Sequence, residues 1–119
     1  MKARRWVLAF SIFLAVVFAH AQAGASFYSG KMLVELMQEY EKAGTGMKSP
    51  EVDRETMRAY AAYVAGVYDA LSDVIWSRSD KVSLGHICEI VSRYLKNHPE
   101  KWGESASDLV IQALMEAFP

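Results

Sequence analysis

The sequence predicts an all-α protein, a compact bundle of four helices that follows an N-terminal signal peptide. Three observations predict it. Apolar residues recur at helical spacing in four separate stretches, serines stand where helix caps belong, and no stretch sustains the alternation of a strand. A domain of this size closes one core and buries about two-thirds of the surface its unfolded chain exposes.

The first five residues carry Lys2, Arg4 and Arg5, and an uncharged apolar stretch, 6–19, follows them. A basic start and roughly fourteen apolar residues form the pattern of a secretory signal, whereas a spanning helix needs about twenty. Ala19-His20-Ala21 offers small residues for cleavage, with Ala21-Gln22-Ala23 as a second frame. Residues 1–21 are therefore expected to be the signal peptide and 22–119 the helical domain. Cleavage after Ala21 leaves 98 of the 119 residues; loss of the three basic side chains takes the net charge from −1 to −4. No basic face remains that would bind nucleic acid or an anionic membrane. Exported domains often lean on disulfides, but Cys88 is the one cysteine, so no bridge can form within the chain.

The first helix is expected from about Gly30 to Lys42, capped by Ser29, with Leu33, Leu36, Met37 and Tyr40 on one face. Gly44, Gly46 and Pro50 end it, because Gly tolerates positive φ and Pro cannot continue a helix. The second, about Asp53 to Trp76, carries the strongest periodicity. Met57, Tyr60, Val64, Val67, Leu71 and Val74 fall within roughly 100° of arc, the width of a core-facing stripe. Nearly opposite lie Ala59, Ala62, Gly66 and Ala70. Small side chains let another backbone approach, and Gly66 costs helix stability relative to Ala, so this row is the candidate surface for self-association.

Residues 76–81 read as a connector. Ser83 caps a third helix to about Asn97, with Leu84, Ile87, Cys88, Val91, Tyr94 and Leu95 inward. It stops at Asn97-His98-Pro99, since a residue before Pro disfavours the α region. A short exposed turn, 101–104, leads to Ser105, which stands three residues before Asp108 with the spacing of a capping box. The fourth helix then places Leu109, Val110, Ala113, Leu114, Ala117 and Phe118 on its apolar side.

Chemistry is hard to assemble from what remains. His86 and Cys88 point about 200° apart on a helix, so they cannot share a metal. A Cys88 nucleophile with His98 as its base is the sharpest enzymatic arrangement available, but Cys88 falls within an apolar stripe, where a thiol behaves as a small hydrophobe. Asp69 and Asp73 stand one turn apart, and two carboxylates fall short of a Ca²⁺ ligand set. Trp76 and Trp102 sit near loop ends, where a tryptophan either closes a bundle or anchors an interface. No catalytic constellation, metal site or cofactor motif is expected.

The segments Tyr63-Val-Ala-Gly-Val-Tyr-Asp-Ala70, Val82-Ser-Leu-Gly-His-Ile-Cys88, Val91-Ser-Arg-Tyr-Leu-Lys-Asn-His-Pro-Glu100, Ala106-Ser-Asp-Leu-Val110 and Ala113-Leu-Met-Glu-Ala-Phe-Pro119 resemble the Tai/Rap immunity proteins of type VI secretion. The likeness covers about 29–119. It implies a periplasmic protein without catalysis that binds a peptidoglycan amidase toxin, often as a homodimer, and plugs the active-site cleft. Family members also carry a cysteine after the second helix and another past the final Phe-Pro; here Trp76-Ser77 occupies the first position, and no cysteine follows Phe118-Pro119. The expected partner-binding turn is His98, Pro99, Glu100, Lys101 and Trp102, an aromatic flanked by charge; the loop 45–50 is the second choice. Two other classes compete. A periplasmic acid-stress chaperone similar to the small HdeA-like helical proteins would expose apolar surface as carboxylates protonate, and a small hydrolase would depend on the Cys88 thiol.

Overall fold

A computed structural model describes residues 26–45, 54–74 and 82–119, and within them four α-helices pack around one core. The helices are α1 (Gly30–Gly44), α2 (Arg54–Leu71), α3 (Leu84–Asn97) and α4 (Ala106–Ala117), with a 3₁₀ turn at Pro99–Lys101 between the last two. The signal segment 1–21, the loop at 46–53 and the connector with Trp76 lie outside the described residues.

Local chemistry places the helix starts. Ser29 Oγ accepts from Met32 N at 3.3 Å, Ser83 Oγ from His86 N at 3.2 Å and Ser105 Oγ from Asp108 N at 3.2 Å. Each satisfies an amide that the helix itself cannot. α1 runs to Gly44, two residues past the predicted end, because the Thr45 amide still reaches Glu41 O at 3.2 Å.

The core is built from Leu33, Val34 and Met37 of α1, Tyr60 and Val64 of α2, Ile87, Cys88, Ile90, Val91, Tyr94 and Leu95 of α3, and Ala106, Leu109, Val110, Ala113 and Leu114 of α4. Several predicted positions are corrected. The described helix α2 ends at Leu71, and Val74, beyond its last turn, is 80% exposed rather than part of the stripe. Leu84, the first residue of α3, is 45% exposed because no neighbour covers that end. Ala117 is exposed, while Phe118 caps α4 and packs half-buried on the core. α3 is covered over a wider arc than one stripe, which buries Ile90 and Ser92 as well.

A polar bond crosses this core. The Tyr60 hydroxyl lies 2.9 Å from Ser92 Oγ and 3.0 Å from the Cys88 carbonyl, tying α2 to α3. Burial holds the phenol neutral well above its ordinary range. At the opposite end, α1 and α4 begin side by side. Ser29 and Ser105 form an antiparallel bridge in which Gly30 N donates to Glu104 O at 2.8 Å and Ala106 N to Tyr28 O at 2.9 Å.

Candidate functional site

The turn after α3 is shaped by its breakers. Pro99 cannot extend the helix, so the chain tightens into a 3₁₀ turn in which Lys101 N donates to His98 O at 3.0 Å and Trp102 N to Pro99 O at 3.3 Å. Glu104 N then donates to Lys101 O at 2.8 Å. Pro99, Glu100, Gly103 and Glu104 are exposed along this crown.

Its side chains divide into two groups. His98 and Glu100 form the outward pair, with Nδ1 3.0 Å from Oε1 and the glutamate side chain 63% exposed. The His98 ring also lies on Tyr94, with centroids 4.4 Å apart. A hydrogen bond from its own backbone, and then the one from His98, hold the Glu100 carboxyl below the ordinary carboxylate range.

Lys101 and Trp102 turn inward instead. Lys101 Nζ donates to the Tyr94 hydroxyl at 2.9 Å and to Gln112 Oε1 at 2.8 Å. The bond to Tyr94 raises the ammonium above its ordinary value. Gln112 Oε1 also accepts from the Tyr94 hydroxyl at 2.8 Å, and its Nε2 donates to Glu104 Oε2 at 2.7 Å. Trp102 Nε1 donates to Leu95 O at 2.9 Å while the ring packs half-buried against the core. The expectation of a fully exposed turn with an aromatic anchor is therefore corrected: the indole closes the end of the bundle. Sequence reasoning placed Tyr94 among core residues and passed over Gln112, yet these two side chains brace the turn from α3 and α4. A glutamine interrupting the apolar helix 106–117 was the available signal.

The row of small residues lands elsewhere. Ala62, Gly66 and Ala70 are exposed and Ala59 is half-buried. Ala62, Gly66 and Ala70 line a shallow apolar groove with Tyr63, Val67 and Leu71 of α2 and Ile111 of α4. A Cβ added at Gly66 would meet nothing within 4 Å, so nothing in the described fold requires glycine there. Tyr63 closes the upper end of the groove, its ring centroid 5.2 Å from that of Tyr28 and its phenol beside Ser107.

The remaining candidates stay apart. Cys88 is fully buried, with its thiol against Tyr40, and burial pushes the thiol pKa up, away from the nucleophilic thiolate. His98 lies about 15 Å further along α3 at ~1.5 Å per residue, too far to serve as its base, and His86 is exposed. Asp69 and Asp73 are exposed. Among the described residues, no three His, Cys, Asp or Glu side chains gather as a metal set, and no helix is long and apolar enough to cross a membrane. Apart from Thr45, the second-choice loop, 45–50, lies outside the described residues.

Compared with known proteins, the chain matches the model of one family, the Rap1a immunity proteins, over residues 29–119. That stretch begins on the Ser29 cap and takes in all four helices. Among curated proteins and among solved structures, none matches.

Proposed function

Because the chain belongs to the Rap1a immunity protein family, we propose that it protects its cell by binding a toxin of type VI secretion, a peptidoglycan amidase, in the periplasm and plugging the enzyme's active-site cleft. The family match across the whole helical domain is the observation that carries this reading. The N-terminal pattern of Lys2, Arg4 and Arg5 before an apolar stretch supports export to the compartment where such a toxin meets its substrate.

The turn at 98–102 is the part of this surface best suited to enter a cleft. Its crown presents Pro99 and the Glu100 carboxylate, and its base is strapped to α3 and α4 by Lys101, Gln112 and Trp102. A loop already held in one shape loses little conformational entropy on docking. Inhibition then needs no chemistry from this chain: a seated turn excludes substrate and water from the toxin's catalytic residues. The negative charge expected after signal cleavage favours a partner with a basic cleft rim.

The test is to express the amidase encoded beside this gene and follow its release of peptide from peptidoglycan. Stoichiometric loss of hydrolysis on adding the helical domain is the expected result. Undiminished hydrolysis at a tenfold excess of the domain would reject the reading. Fractionation and mass measurement of the mature N-terminus check export and cleavage after Ala21.

A further inference from the structure

We propose that the groove along α2 is a two-fold interface, closed by α2 of a second copy of this chain running antiparallel and crossing near Gly66. The inference concerns a face remote in sequence from the turn at 98–102 and does not depend on what that turn binds.

Three observations favour this occupant. The groove is almost wholly apolar, floored by Ala62, Gly66 and Ala70 and walled by Val67, Leu71 and Ile111, a composition that suits close approach by another helix. Gly66 has open space over its Cα. A monomer has no use for that space, whereas a crossing helix does, and the residue otherwise costs α2 about 0.5–1 kcal/mol relative to Ala. Charge then selects a copy of the same helix. After Arg58, α2 carries no basic residue through Asp73, and its exposed acidic residues, Asp69 and Asp73, lie past the crossing point. In an antiparallel pair centred on Gly66, the residue opposite Asp73 is Ala59, next to Arg58. Arg58 of each copy therefore meets Asp73 of the other, and two-fold symmetry makes the pair twice. Within one chain these two residues stand about 22 Å apart along the axis at ~1.5 Å per residue, so they cannot satisfy one another. Val74, 80% exposed, and Met115, 51% exposed, add apolar surface near the ends of the same two helices.

Sedimentation equilibrium of the purified mature chain, without any toxin, tests this directly. The expected result is a dimer that Gly66→Leu converts to monomer, with the helical circular-dichroism spectrum retained. Arg58→Asp and Asp73→Arg each raise the dissociation constant by about tenfold or more, a 1.4 kcal/mol loss, and the double swap restores dimerisation. The swap guards against a Gly66→Leu variant that misfolds, because a charge exchange between distant exposed positions rescues association only across an interface. A wild-type chain that stays monomeric to about millimolar concentration, or a double swap no better than the single changes, would overturn the proposal.

Discussion

Ser29 and Ser105 each cap a helix, and they face one another in an antiparallel bridge that starts α1 and α4 side by side. The closeness of those two helix starts depends on the residue after Ser29. A Cβ on Gly30 would stand 2.5 Å from Leu109 Cδ1 and 2.8 Å from the Trp102 carbonyl oxygen.

Gly30→Ala is therefore expected to destabilise the domain by about 1–3 kcal/mol, the cost of overpacking against backbone that cannot retreat. Gly85→Ala, where a Cβ meets nothing within 4 Å, should instead gain a few tenths of a kcal/mol from helix propensity. Thermal melts of the two variants separate steric need from propensity. Equal melting temperatures would contradict the close approach.

Tyr60→Phe should cost about 1–2 kcal/mol, because it strands the buried Ser92 hydroxyl. Adding Ser92→Ala removes the stranded group and should recover part of that loss. A double-mutant cycle by urea denaturation measures the coupling. A coupling energy near zero would mean the two hydroxyls do not interact.

Trp102→Ala should lower stability by about 2–3 kcal/mol, since the half-buried indole packs on the core and its N–H holds the Leu95 carbonyl. Trp102→Phe should keep most of the packing and lose about 1 kcal/mol for the hydrogen bond. Effects of Trp102→Ala on partner binding are readable only after the melt has been compared, whereas Glu100→Gln changes an exposed carboxylate and serves as the cleaner binding probe.

Stability should fall as the pH rises past about 9–10. Burial raises the pKa of Cys88 above its ordinary 9.0 and those of Tyr40 and Tyr60 above 10.0. The folded chain therefore keeps protons that the unfolded chain has released, and unfolding becomes easier with each step in pH until the folded groups also ionise. The stabilisation is complete below pH 9. Urea midpoints at pH 8 and pH 10.5 check the sign, and Tyr60→Phe should flatten the fall. Thiol labelling at pH 8 gives the same test locally: Cys88 should react only at the rate of unfolding.

Much of the fold was legible because its signals act over three or four residues. Ser29, Ser83 and Ser105 cap helices through amides three positions ahead, and Pro99 stops α3 wherever the rest of the chain lies. Periodicity likewise identified Leu33, Tyr60, Val64, Val91, Leu109 and Leu114 as core, and the residues quoted for the family resemblance lie in the stretch that its model matches. The candidate turn was located correctly along the chain, but its side chains could not be oriented from spacing. Lys101 and Trp102 turn inward because Tyr94, Leu95 and Gln112, seven to eleven residues away in sequence, supply their partners. Gly30 reads as an ordinary helix start until Leu109 and Trp102 are brought over it. The sequence by itself determined where helices begin, which face of each is apolar and which family the chain resembles, since hydrogen bonding and side-chain periodicity within a helix are local. Tertiary structure alone decided which glycine is indispensable and which charged or aromatic groups remain free for a partner, because those depend on atoms that only packing brings together.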